Sequence, residues 1–268
     1  MKPPLAAPYW GIRSYADPGV DTIARASLFA DRMPPRAFYF GRTAASLHQL
    51  PLPARYSAET TLHVGVRAGE RRVDVLQISP HHVRLPDSDL LAWEQTRVTS
   101  PTRTWCDLAA SLSLAELVAV GDRLLWRTRP LTTVPALTAQ LDRYEGRRGI
   151  RLLRSAIGLV SNAADSAPES ELRVAIIQAG FPAPLVGEEV FLSRGGSVHP
   201  DLSWPTCRVA IDYEGDHHRT ERDQWRHDIR RFADLEEDRW RTYRATGDDY
   251  RSPHRLLAWL GRTLPRPR

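Results

Sequence analysis

"HPDLSWPTCRVAIDYEGDHHR", residues 199–219, is the stretch on which the reading of this chain turns. Two runs of alternating apolar and polar residues flank Pro205, the pattern of a β-hairpin. With a turn at Trp204 to Cys207, Ser203 faces Arg208 and Asp201 faces Ala210. Asp212 is then the diagonal neighbour of Asp201 on one sheet face, about 7–8 Å away between Cα atoms. Glu214, two residues on, shares that face, while Val209, Ile211 and Tyr213 point to the other, which suits a core.

Three carboxylates on one face repel one another, so they are either solvated or answered by something positive. Both readings stand at this level. An amphipathic hairpin ordinarily turns its acids to water. Equally, Asp201 and Asp212 are near enough for one divalent cation to bridge them, and an all-oxygen site suits Mg²⁺ or Mn²⁺ rather than zinc. His217 and His218, just past Gly215, are placed to shuttle a proton beside such an ion.

Outward from the hairpin, "SAPESELRVAIIQAGFP" reads as a helix with Leu172, Ala175, Ile176 and Ala179 on one face, ended by Gly180 and Pro182. "RDQWRHDIRRFADLEED" has an apolar stripe of Trp225, Ile229, Phe232 and Leu235. Arg222, Arg226 and Arg230 make a separate ridge at i, i+4 spacing. "RWRTYRAT" predicts a strand and "PHRLLAWLGRTL" a closing helix. Ser166 and Glu169 have capping-box spacing, which explains Glu169 without chemistry. Asp223 and Asp228 can neutralise the arginine ridge through helical pairing. Trp204 and Trp225 read as packing residues.

The ordered set "PESELR", "HPDLSWP", "VAIDYEGDHHR", "QWRHDIRR" and "RWRTYRAT" resembles the PD-(D/E)XK nuclease superfamily, most closely the bacterial domains related to the very-short-patch repair endonuclease. The likeness covers about residues 165 to 250. It implies a restriction-endonuclease-like mixed sheet flanked by helices and Mg²⁺-dependent (or Mn²⁺-dependent) DNA cleavage. Carried over residue by residue, Glu169 is the helical acid, Asp201 the central metal ligand and Asp212 the second strand position. Glu214 stands where the superfamily usually has lysine. In the repair-endonuclease branch a histidine takes over that role, and His218 matches it, with His217 as a second candidate. Arg219, Arg222, Arg226 and Arg230 would meet DNA phosphates, which positions a duplex without reading its sequence. Lys2 is the only lysine in the chain, so the departure from the superfamily pattern is real.

The first half carries its own pattern. A short helix is expected around Val20 to Phe29, and "AFYFGRTAASLHQLPLP" predicts a strand running into a short helix. "TLHVGVRAGERRVDVLQIS" alternates on both sides of Ala68-Gly69-Glu70, which suggests a hairpin. "TRVTSPTRTWCDLAASLSLAELVAVGDRLL" gives two helices with Leu108, Leu112, Leu117, Val120 and Leu124 inward. Ser100 or Thr99 caps the first, with Pro101 near its first turn. Arg103 and Asp107 are i, i+4 partners with a structural role, and His81 and His82 read as loop residues without an assigned one. Two more helices are expected near 134–144 and 147–159. "TAASLHQLPLP", "LHVGV" and "RVTSPTRTWCDLA" resemble the C-terminal region of abortive-infection type IV antitoxins, which implies a smaller α/β module and a toxin or other protein partner. The expected organisation is thus α/β throughout: an antitoxin-like module at 1–130, a helical connector at 131–164 and an endonuclease-like domain at 165–268.

Composition narrows the class without naming it. The chain has 268 residues, a formal net charge of +5 and 42% hydrophobic residues, as expected of a packed protein with a mild leaning toward polyanions. Cys106 and Cys207 are too few and too far apart for a disulfide framework or thiolate metal site. No apolar run approaches a membrane span, so a cytoplasmic protein without a membrane partner is expected. The function expected from these readings is a Mg²⁺-dependent DNA endonuclease in repair or defence. The alternative is a non-catalytic DNA-binding or antitoxin-like regulator that keeps the nuclease fold.

Overall fold

Two mixed sheets, each covered by helices, form an α/β fold. The computed structural model describes residues 6–9, 12–14, 17–145, 148–193, 195–214 and 233–265. Ahead of the first sheet, β1 (Ala6–Tyr9) and β2 (Ile12–Ser14) pair antiparallel, and α1 (Thr22–Ala30) is capped by the Asp21 carboxylate.

The first sheet contains β3 (Phe38–Tyr39), β4 (Leu62–Arg67), β5 (Ile78–Val83), β6 (Leu90–Trp93) and β7 (Thr96–Thr99), in the order β5-β4-β3-β7-β6. The hairpin expected about Ala68-Gly69-Glu70 does not form. β4 and β5 run parallel, Leu62 beside Ile78 and Arg67 beside Val83. Residues 68–77 return along the sheet instead, and ten residues suffice because the strands they span are only six long. The alternation of Val73 and Val75 is real but lays them against the core as part of this crossover. His81 and His82, expected in a loop, stand in β5.

The helices follow their caps. After α2 (Gly41–Leu47), α3 (Pro101–Leu108) begins with the Ser100 hydroxyl accepting from Arg103 N–H and Pro101 in the first turn. α4 (Leu114–Leu125) opens with a complete Ser113/Glu116 capping box. Leu108, Leu112, Leu117, Val120 and Leu124 are buried, as their spacing predicts. α5 (Val134–Asp142) and α6 (Ile150–Ile157) pack their Leu137, Leu141, Leu153 and Ala156 into the same core. α6 starts later than expected because Gly149, left-handed at φ 82°, ends the preceding turn against Ala109.

α7 (Ala167–Gln178) is buried on more sides than its single expected stripe. Leu172 and Ile176 face the second sheet, whereas Val174 belongs to the core of α2 to α6. The second sheet has β8 (Leu185–Val186), β11 (Leu202–Trp204), β12 (Val209–Glu214) and β13 (Arg241–Thr246), ordered β13-β12-β11-β8. Beside it lies a small pair, β9 (Val190–Phe191) with β10 (Ser197–Val198). α8 lies at 233–237, and α9 (Gly247–Arg251) and α10 (His254–Thr263) close the chain. Leu202, Trp204, Val209 and Ile211 pack on one face of the second sheet with Leu256 and Leu260 of α10. Ala210 lies on the other face with Leu235 and Trp240.

Candidate functional site

The hairpin of β11 and β12 forms, with a register two residues from the expected one. Its pairs are Leu202–Ile211, Ser203–Ala210 and Trp204–Val209. Trp204 stays in the strand because its ring is buried and its Nε1–H donates to Pro182 O at 2.9 Å. The connection is therefore a 3₁₀ turn over Pro205–Cys207, followed by Arg208 in the left-handed region at φ 49°. Continuing the register sets Asp201 against Asp212 itself, not against Ala210. A shift of two keeps every side chain on its face, so the carboxylates are brought closer and still point the same way.

Where the strands part, the two residues are tied reciprocally. Asp201 N–H donates to Asp212 Oδ1 at 3.2 Å, and Tyr213 N–H donates to Asp201 Oδ2 at 2.6 Å. Asp201 O accepts from Gly187 N–H at 3.0 Å, which anchors the same residue to the β8 side. Asp212 is only 1% exposed. A carboxylate removed from water is stabilised only by partners that favour its charge, so the solvated-face reading fails for Asp212. It holds for Glu214, which is exposed and pairs with Arg244 of the neighbouring strand at 3.4 Å.

Glu169 lies in the first turn of α7. Its Oε1 accepts the Ser166 hydroxyl at 2.6 Å and its Oε2 accepts Asp165 N–H at 3.0 Å, while the Ser166 hydroxyl takes Glu169 N–H. The cap expected from spacing is present, with Asp165 supplying the second donor. Burial, then the negative charge of Asp201, pushes the Glu169 carboxyl up to about 7 in spite of these bonds. That coupling brings Glu169 and Asp201 into one electrostatic unit across α7 and β11.

Spacing and resemblance did not single out Glu171. Burial and Glu116 push it up to about 7, and it accepts from the Tyr250 hydroxyl at 3.3 Å. Tyr250 in turn meets Tyr213 edge-on, 6.5 Å between centroids. The signal available was its place two residues from Glu169 in "PESELR"; only tertiary contact brings Tyr250 to it. His217, His218, Arg219, Arg222, Arg226 and Arg230 lie outside the described residues.

The donor set suits a hard cation. A cation at this place would be held by the carboxylates of Asp201 and Asp212. Mg²⁺ is commonly held by one or two carboxylates and fills its shell from water and phosphate oxygens. Among the described residues no group of three or more His, Cys, Asp or Glu side chains is arranged to hold a metal ion.

Fold and site together define an α/β protein with a carboxylate pair, Asp212 buried and Asp201 half-buried, where two antiparallel strands separate. Two curated relatives are similar to it, both uncharacterized proteins of Mycobacterium tuberculosis, one from strain CDC 1551 / Oshkosh and one from strain H37Rv. Each is 30% identical over 171 residues, 63% of this chain and 62% of the relative. The chain thus spans less than two thirds of the length of these relatives. No family model matches it, and no solved structure does. Among the described residues no helix is long and apolar enough to cross a membrane.

Proposed function

We propose that this chain is a Mg²⁺- or Mn²⁺-dependent endonuclease that hydrolyses a DNA phosphodiester, with Asp201 and Asp212 holding the cation. The observation that carries this reading is the burial of Asp212 opposite Asp201. An acidic face serving only solubility does not take its carboxylate out of water. The mixed sheet, with α7 before it and β13 parallel to β12, accords with the superfamily that the motifs resemble.

The bound ion supplies charge neutralisation at the phosphate and a lower pKa for an attacking water. The chain's own residues do the positioning. Asp201 N–H and Tyr213 N–H hold the two carboxylates in register, and Glu169 holds or accepts a proton near neutral pH beside Asp201. His218, or His217, takes the proton-transfer role that lysine has in the superfamily. Arg219, Arg222, Arg226 and Arg230 contact backbone phosphates. A role in repair or defence, a toxin partner and a cytoplasmic setting belong to the same proposal. In a plasmid-nicking assay across metals, Asp201→Ala abolishes Mg²⁺-dependent nicking while leaving the circular dichroism spectrum unchanged. A variant that nicks as fast as wild type overturns the assignment.

One observation favours a second reading, a non-catalytic DNA-binding or antitoxin-like regulator. Glu169 directs both oxygens to the helix cap, and Glu214 pairs with Arg244, so two of the acids expected at the site already have structural employment. A Mn²⁺ titration separates the readings. Binding that is lost in Asp212→Asn supports the enzyme, and no binding even with DNA present supports the regulator.

A further inference from the structure

A second assembly of titratable groups lies in the first half, on β4 and β5. Arg42 grips Glu59 through two N–H groups, at 2.7 and 2.6 Å. Glu59 Oε1 is 3.2 Å from His63 Nε2, and His63 Nδ1 is 3.0 Å from His81 Nε2. The bond from Arg42 holds the Glu59 carboxyl below its ordinary range, so Glu59 accepts the proton of His63 Nε2. His63 Nδ1 then carries a lone pair and accepts from His81 Nε2–H, with Ser79 Oγ also 3.3 Å from that nitrogen. The chain of bonds thereby assigns the tautomer of His81: Nδ1 is its lone-pair nitrogen. Burial, then the neighbouring His63, Arg42 and Arg72, pushes His81 down to about 4, so the ring is neutral at physiological pH.

His81 lines a cleft of about 490 Å³ together with Phe40, Arg72, Arg84, Arg103 and Tyr144. That volume is within the roughly 300–1,000 Å³ usual for small-ligand sites. Arg103 is neutralised by Asp107 at 2.9 Å and Asp89 at 3.4 Å. Arg72 and Arg84 are exposed and form no ion pair with any described acid. The cleft therefore offers two uncommitted guanidinium groups, one neutral imidazole and two aromatic rings, Phe40 lying 4.9 Å from His81 between centroids. Tyr144 lies under the Arg103 guanidinium at 5.0 Å, with the exposed Glu145 carboxylate on the same wall. Guanidinium groups select phosphate or carboxylate. Bare phosphate would leave the imidazole and the rings unused, and a metal cation would meet repulsion from the arginines.

We infer that this cleft binds a nucleotide: Arg72 and Arg84 take its phosphates, His81 Nδ1 accepts from a sugar hydroxyl or ring N–H, and Phe40 and Tyr144 flank the base. The site is independent of the carboxylate pair and goes beyond the nuclease reading. Glu59 and His63 are positioning residues that fix the tautomer.

The test is calorimetric titration of the full chain with the four ribonucleoside diphosphates, with inorganic pyrophosphate and with the four ribonucleosides. At least one diphosphate binds at least ten-fold more tightly than pyrophosphate or its own nucleoside. Arg72→Ala and Arg84→Ala, exposed positions that leave the melting temperature unchanged, each weaken that binding at least ten-fold. His81→Phe weakens the nucleotide and leaves pyrophosphate unaffected. Absence of nucleotide binding, equal binding of pyrophosphate, or wild-type affinity in both arginine variants overturns the inference. Asp201→Ala keeps full nucleotide affinity; loss of binding there would place the ligand at the carboxylate pair and likewise overturn it. None of these outcomes depends on whether the chain nicks DNA.

Discussion

Glu169 occupies a helix N-terminus, where backbone dipoles and its two hydrogen bonds favour the ionised form. It nonetheless holds its proton to about pH 7, because burial and the charge of Asp201 prevail. The folded protein then binds a proton that the unfolded chain has released above its ordinary 4.5. Stability therefore falls as pH rises from the ordinary value to about 7. Glu171 acts in the same direction over the same window. Glu169→Gln should reduce the drop in melting temperature between pH 5 and pH 8, measured by thermal unfolding, and adding Glu171→Gln should reduce it further. An unchanged pH profile in the double variant would show that neither carboxyl is perturbed. Asp201→Asn should shift the remaining titration toward lower pH, since it removes the second cause of the elevation.

Between elements, a buried polar link joins α4 to α7. Asp122 accepts from Ser161 N–H at 2.7 Å, the Ser170 hydroxyl at 2.6 Å and Arg173 Nη2 at 2.8 Å, all with little access to water. Asp122→Ala strands a buried guanidinium, and losing one partner of such a pair costs about 3–5 kcal/mol. Urea unfolding should register that loss, and a change below about 1 kcal/mol would mean Arg173 finds another acceptor. At the start of α6, Gly149→Ala sets a Cβ 2.5 Å from Ala109 O at a φ of 82°. Left-handed strain alone is worth about 1–3 kcal/mol. The same denaturation experiment should show at least that much destabilisation.

At the scale of the whole molecule, α7 is common property. Its Leu172 and Ile176 belong to the core of the second sheet, and its Val174 and Arg173 to the helical core before it. A fragment of residues 165–268 would carry Val174 and Arg173 into water without α4, and residues 1–164 would leave Asp122 facing a gap. The full chain should therefore unfold in one transition by both far-ultraviolet circular dichroism and tryptophan fluorescence. The C-terminal fragment should melt at lower temperature, or fail to fold. Two separated transitions in the full chain would show that α7 transmits no coupling.

Much of the architecture was legible before any contact was known, because local rules govern it. Ser100 and Ser166 announced their helices through hydroxyl caps. The Leu117, Val120, Leu124 spacing named a buried face, and the alternation in 209–214 gave a strand, although the structure covers both of its faces from Val209 to Asp212. Alternation could not say which strand would be the partner. Val73 and Val75 satisfied a hairpin pattern equally well as a crossover, since period two records a side-chain face and not a pairing direction. Spacing likewise named Glu169 as a cap, yet its raised pKa depends on burial and on Asp201, 32 positions later.

What the sequence determined by itself was the α/β class, the capped helix starts at Ser100 and Ser166, and the face on which Asp201, Asp212 and Glu214 lie. Those follow from backbone period and short-range hydrogen bonding, which involve residues a few positions apart. Only the tertiary structure decided that Asp201 stands opposite Asp212, that Glu214 is answered by Arg244, and that His63 and His81 join hands beside a cleft. Those depend on strand register, burial and charge between distant segments. Coulombic and desolvation energies arise from distances in space, and the order of residues along a chain does not set them.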